Sequence, residues 1–141
     1  MEIEGYEFPE GLYYEQNHFW ARVEGDLVVM GMSDYAQKMA GEIVYVGLPP
    51  EGKKLTQGKS FAKLESGKWL GKIFAVVSGE LVEVNEELEE NTQLINEDPY
   101  GKGWMFKIRP DTMDELKNLM TDAGEIREWL KKEIAEHGGT S

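Results

Sequence analysis

Short apolar stretches rich in Val, Ile, Phe and Tyr follow one another from Tyr13 to Val84, each broken by Gly or Pro after several residues. This pattern predicts short β-strands. One motif recurs within it: Gly25-Asp26-Leu27-Val28-Val29-Met30, Gly41-Glu42-Ile43-Val44-Tyr45-Val46 and Gly79-Glu80-Leu81-Val82-Glu83-Val84. A Gly ahead of such a run reads as a turn entering a buried strand, and the uneven spacing excludes a regular solenoid. The first and third copies lie in longer look-alikes that begin at Val23 and Val77, which suggests two related halves folded against each other in a small β-sandwich. Helical signals are few. Ser33 can cap a short helix that Gly41 stops. Thr112 with Glu115 reads as a capping box for an element ended by Gly124, and a further helix presents Ile126, Trp129, Leu130 and Ile134 on one face.

A chain of 141 residues suits one core. The expected division is a single domain over 1–137, with a β core at about 13–110 and C-terminal helices at about 111–136, and a disordered tail at 138–141. The formal charge of −12 makes nucleic acid and anionic membranes poor partners, because the basic residues do not cluster. No apolar run is long enough to span a bilayer, and Met1-Glu2-Ile3-Glu4 lacks the order of a signal peptide, so the cytoplasm is the expected location. Cysteine is absent, so any redox sulfur must come from outside the sequence.

Parts for catalysis are scarce. Gly52 to Ser60 mimics a phosphate-binding loop but has five residues between its glycines where four are needed, so it reads as a basic turn. The acidic pairs Glu86-Glu87 and Glu89-Glu90 stand in a charged stretch with nothing apolar to raise their pKa values. His18 and His137 are the only histidines, too few for a metal cluster or a nucleophile triad. There remains Leu64-Glu65-Ser66-Gly67-Lys68-Trp69-Leu70-Gly71, between two apolar runs. A Ser-Gly-Lys step there reads as a hairpin tip, with Gly67 in an unusual backbone conformation and Lys68 pointing outward. Taken alone, such a lysine is more often an ordinary surface residue.

Five stretches resemble, in order and spacing, the H proteins of the glycine cleavage system: His18-Phe19-Trp20-Ala21-Arg22-Val23-Glu24-Gly25; Gly31-Met32-Ser33-Asp34-Tyr35-Ala36-Gln37; Glu65 and Ser66 ahead of Lys68; Val77-Ser78-Gly79-Glu80-Leu81-Val82-Glu83-Val84-Asn85; and Ile95-Asn96-Glu97-Asp98-Pro99-Tyr100-Gly101-Lys102-Gly103-Trp104-Met105-Phe106-Lys107-Ile108. The resemblance covers about 13–131. It implies a mostly β fold, a barrel-sandwich hybrid of lipoyl-domain type. It also implies a non-catalytic carrier whose cofactor is lipoate, held covalently on Lys68. Glu65, Ser66, Gly67 and Gly79 would form the surface read by a lipoate ligase or lipoyl transferase, and His18, Phe19, Trp69 and Lys72 would line the cleft where the arm rests. The implied partners are glycine decarboxylase, aminomethyltransferase and dihydrolipoyl dehydrogenase. A biotin carrier would place Met on both sides of the lysine, and the lipoyl domains of oxoacid dehydrogenases usually carry Asp before it, so both fit less well than the H proteins. A non-lipoylated scaffold of the same fold and a stand-alone enzyme are the readings from other classes.

Around the arm the chain departs from the family. Its first motif usually reads His-Glu-Trp, where this chain has His18-Phe19-Trp20; an acid after the lysine is replaced by Lys72, and a customary Pro by Val76. The family's aminomethyl cargo is a primary amine, cationic at neutral pH. Loss of two acids therefore predicts a cleft suited to neutral or anionic sulfur species. Such a cleft would fit similar lipoate-binding proteins that serve a heterodisulfide-reductase-like complex in sulfur oxidation.

Overall fold

The structure, a computed structural model, describes residues 1–136; His137 and the expected tail at 138–141 lie outside the described residues. The chain opens with β1 (Glu2–Ile3), β2 (Tyr6–Glu7), β3 (Tyr13–Glu15), β4 (Phe19–Glu24) and β5 (Leu27–Met32), followed by α1 (Asp34–Ala40). It continues through β6 (Ile43–Val46), β7 (Lys54–Leu55), β8 (Ser60–Ser66), β9 (Leu70–Phe74) and β10 (Gly79–Val84). A 3₁₀ turn at Glu86–Glu89, α2 (Leu94–Glu97), β11 (Phe106–Pro110), a second 3₁₀ turn at Met113–Asn118 and α3 (Ala123–Glu136) complete it.

The strands form an antiparallel six-stranded sheet in the order β3-β4-β5-β11-β10-β7, a three-stranded sheet β6-β8-β9 and the small hairpin β1-β2. Neither large sheet closes into a barrel, and the mostly β architecture is that of a barrel-sandwich, lipoyl-type fold. The recurring Gly-acid motif supplies β5, β6 and β10, with β5 and β10 flanking β11 on either side. The look-alike at Val23 makes the β4–β5 turn, whereas the one at Val77 leads into a strand paired with β7 and β11.

Consecutive side chains on a strand face opposite ways, so the unbroken apolar runs in β4 and β5 require cover on both faces. Phe19, Ala21, Val28 and Met30 join the main core with Ile43, Leu64, Ile73, Leu81 and Ile108, which lies between the two large sheets. Trp20 and Val29 turn the other way into a second cluster with Ile3, Phe8, Tyr14, Tyr35, Ile126 and Leu130. That cluster holds α3 and the N-terminal hairpin against the back of the six-stranded sheet. Asp34, in the first turn of α1, adds a polar tie by accepting from the Glu7 N–H at 2.9 Å.

Local helix signals held where no tertiary partner competed. The Ser33 hydroxyl accepts from the Ala36 N–H at 3.2 Å, and Gly41, at φ +81°, ends α1. The C-terminal capping box does not form. Thr112 caps the 3₁₀ turn at Met113–Asn118, but Glu115 turns away to accept from the Ser78 N–H at 2.6 Å and the Ser78 hydroxyl at 3.0 Å. The amide at the entry to β10 needs an acceptor once it is part-buried, and Glu115 provides it. Gly124 lies inside α3 and ends nothing. The basic turn at 52–60 also contains β7, paired with β10.

Candidate functional site

β8 and β9 pair down to Glu65 opposite Leu70, and the chain turns over Gly67, Lys68 and Trp69. The Ser66 N–H donates to the Trp69 carbonyl at 2.8 Å, and the Lys68 N–H donates to the buried Ser66 hydroxyl at 3.3 Å. Ser66 therefore shapes the tip. Gly67 does not take a positive φ, and a Cβ there would meet nothing within 4 Å, so the expected backbone demand at Gly67 is wrong. The close contact is at Gly71, and it is with a half-exposed side chain, not with backbone. A Cβ at Gly71 would lie 2.0 Å from the Trp69 ring, which folds back across it. Gly79 is constrained as well: at φ +156°, its added Cβ would sit 2.1 Å from the Arg109 carbonyl oxygen. It belongs to the six-stranded sheet and does not line the cleft described below.

Lys68 is exposed, and its stem is backed by the end of α1, where a Cβ at Gly41 would meet Lys68 Cε at 3.1 Å. Beside it opens a cleft of about 530 Å³. The structure brings His18, Phe19, Lys68, Trp69 and Lys72 together on its walls, with Met32, Tyr35, Ala36, Met39, Ala40 and Phe74 making the surface mainly apolar and Gln16 and Asn17 at its edge. Glu65, Ser66 and Gly67 stand on the hairpin outside this lining. Phe19 is 3% exposed and belongs to the main core as well as to the cleft wall.

Two acids were missed in the sequence. Glu133, on α3, lines the cleft, and its carboxylate pairs with His18 Nε2 at 2.6 Å, both side chains part-buried. The His18 ring lies between Tyr35 and Trp129, with centroids at 5.3 and 5.0 Å. Burial, and then the nearby Glu133 charge, push the Tyr35 hydroxyl above its ordinary pKa. Phe19 and Lys72 stand where the family has acids, but the cleft still holds one carboxylate, which comes from the other end of the chain. The signal was an acid in the same helix as the buried face of Ile126 and Leu130, but nothing local tied it to His18.

Glu15 is the second. At 4% exposure it accepts from the Asn17 N–H at 2.7 Å and the Asn17 side-chain amide at 2.5 Å. Desolvation raises its pKa to about 7 against these bonds and that of the Phe19 N–H. It pins the tight β3–β4 turn, in which His18 is driven to φ +83° and Gln16 to Phe19 face the cleft. A non-glycine residue at positive φ is strained, and such strain accompanies sites that need a fixed side-chain direction. Among the described residues no acidic or histidine cluster could hold a metal ion, and no helix is long and apolar enough to cross a membrane.

A family model described as "Glycine cleavage H-protein" matches residues 12–133. The chain is 47% identical over 133 residues to the probable glycine cleavage system H protein of Pyrococcus abyssi, covering 93% of this chain and 98% of that one. It is 44% identical over 127 residues to the glycine cleavage system H protein of Thermus thermophilus, covering 90% and 98% respectively. Among solved structures, a glycine cleavage system H protein from Mycobacterium marinum superposes with a TM-score of 0.70 at 30% identity, covering 79% of this chain and 97% of that chain. These relatives support the glycine-cleavage reading and lend nothing to the sulfur-oxidation alternative. With the match spanning both the hairpin and the helix that completes the cleft, the chain belongs to the glycine cleavage H-protein family.

Proposed function

We propose that Lys68 is the residue of this chain that bears the lipoyl arm, and that the aromatic cleft beside it is where the loaded arm rests. As a glycine cleavage H protein the chain is a non-catalytic carrier with covalent lipoate, working among the components of the glycine cleavage system. The finer assignments rest on geometry. Lys68 sits exposed on a hairpin tip whose shape is fixed by hydrogen bonds to Ser66, so a long arm attached there is mobile while its base is rigid. That arrangement, opening directly on the cleft, carries the proposal.

Lipoate on Lys68 supplies the sulfur chemistry that this cysteine-free chain lacks. The chain's own residues do the holding. Trp69, Met39 and Phe74 offer apolar surface to an aliphatic arm, backed by the nearly buried Phe19, Met32 and Tyr35, and the Trp69 face also attracts an ammonium. Glu133 is the carboxylate that meets the cationic cargo, and Lys72 opposes it. Glycine decarboxylase, aminomethyltransferase and dihydrolipoyl dehydrogenase are the partners the arm visits, and a lipoate ligase or lipoyl transferase attaches it. Residues 1–137 act as one unit in this account, because Glu133 near one end completes a cleft begun by Lys68.

The test is modification itself. Incubation with a lipoate ligase, lipoate and ATP should add one lipoyl group, mapped to Lys68, and Lys68→Arg should abolish it, since a guanidinium stays protonated and does not form the amide. A wild-type chain that remains unmodified, or one modified at another lysine, would overturn the assignment.

A further inference from the structure

The face of the three-stranded sheet beside the tip carries an apolar row that the carrier role leaves unexplained. β6 has a bulge between Ile43 and Tyr45 where it pairs with β8. Strict alternation would bury one of two neighbours, but here Val44 and Tyr45 both face solvent, at 54% and 52% exposure. Bulges re-aim side chains in this way. Tyr45 pairs with Glu65, and Glu65 with Leu70, which is 65% exposed, so Tyr45, Glu65 and Leu70 form one row across three strands. With Trp69 at 46%, these are the four most exposed large hydrophobic residues among the described residues. Two register steps behind the row, and therefore on the same face, exposed Lys63 pairs with exposed Lys72.

We infer that this row is the docking surface for the enzyme that forms the amide at Lys68, and not for the enzymes that work at the far end of the arm. The inference rests on the assignment of Lys68 made above. In the attachment reaction the free Lys68 amine attacks the acyl carbon of an activated lipoyl group, an acyl adenylate or thioester. A C–N bond forms, the leaving group departs with its bonding electron pair, and the amine proton passes to solvent. The attaching enzyme must bring its acyl group within bonding distance of Nζ, so it must cover the tip and the row directly beside it. An enzyme that handles the sulfur can stand off by the length of the arm.

The partner's chemistry follows from the patch: an apolar strip with a basic group to meet exposed Glu65 and carboxylates at its rim to pair with Lys63 and Lys72. A second copy of this chain fits poorly. Two molecules that each carry a charge of −12 repel one another.

The double variant Tyr45→Ser with Leu70→Ser removes exposed side chains only and should fold normally, as thermal unfolding will check. In a Lys68→Arg background, which binds without reacting, its Kd for a lipoate ligase should rise about tenfold or more, as expected for loss of apolar anchors at an interface. With Lys68 intact, the KM for the chain should rise by a similar factor while kcat stays within about twofold. The double variant, lipoylated with excess ligase, should be reduced by dihydrolipoyl dehydrogenase at the wild-type rate. Unchanged Kd and KM overturn the inference, as does a parallel loss in the dehydrogenase assay, which would make the row a general docking face. A wild-type dimer in sedimentation that the double variant abolishes would assign the row to self-association instead. If wild type gains no lipoyl group at Lys68, the attachment assignment itself has failed, and the docking row falls with it.

Discussion

Replacing Glu133 by Gln should shorten the lifetime of the loaded arm without preventing its attachment. Glu133 is the carboxylate among the residues lining the cleft, and Gln keeps its size while removing the charge. Two unit charges about 4 Å apart interact by ~4 kcal/mol at an effective dielectric near 20. Here the gain is smaller, because His18 Nε2 already holds one carboxylate oxygen at 2.6 Å and the Glu133 side chain keeps 19% of its surface in solvent. Sharing and screening reduce the expected loss to about 1–2 kcal/mol, or roughly five- to thirtyfold in retention. The assay loads the lipoylated chain with the aminomethyl group, removes the decarboxylase and follows decay of the loaded mass with time. Glu128→Gln, an exposed acid on the same helix, makes the same change in net charge and should leave the lifetime unaltered. Equal lifetimes for Glu133→Gln and wild type would refute the reasoning. So would an equal shortening by Glu128→Gln, since the effect would then come from net charge and not from the cleft.

Lys72→Glu should act in the opposite direction in that assay, lengthening the lifetime by a factor of about two to ten, because a like charge at the cleft wall becomes an attractive one. Gly79→Ala should cost roughly 2–4 kcal/mol in urea unfolding, since the new methyl meets the Arg109 carbonyl oxygen at 2.1 Å and the backbone stands at φ +156°. Gly67→Val, with no contact within 4 Å, should change stability by no more than about 0.5 kcal/mol. Glu15 holds its proton in the folded chain to about pH 7, against 4.5 when unfolded. Between those values the folded state binds the extra proton, so this group's contribution falls as pH rises, by about 3 kcal/mol in all, and is fully lost above pH 7. Unfolding measured from pH 4 to 8 should show that decline relative to Glu15→Gln; parallel pH profiles for the two proteins would contradict it.

What was legible in the sequence was what local chemistry decides. The hairpin tip at Lys68 was visible as Ser-Gly-Lys between two apolar runs, and α1 as Ser33 before its helix and Gly41 after it. The cleft walls at His18, Phe19, Trp69 and Lys72 were named through resemblance, and their meeting beside Lys68 follows from how β4, the hairpin and α1 pack. Tertiary contacts hid the rest. Glu115 looked like a capping partner until the Ser78 amide competed for it. Gly67 looked like the strained turn residue, yet its φ is not positive and the space around it is open, while the half-exposed Trp69 ring folds back over Gly71, a direction no spacing announces. Glu133 could not be assigned to the cleft before α3 was docked, and its absence made the cleft seem hostile to a cation.

The central claim is that this chain carries its cargo on Lys68, and isotope mapping tests it most directly. The lipoylated chain is incubated with glycine decarboxylase and glycine labelled with ¹³C at its α-carbon and ¹⁵N at its amine, then digested and sequenced by tandem mass spectrometry. The labelled one-carbon amine is expected on the lipoyl group of the peptide containing Lys68, with no label in a Lys68→Arg chain. Label on any other residue, or a fully lipoylated Lys68 peptide that takes up none, would contradict it.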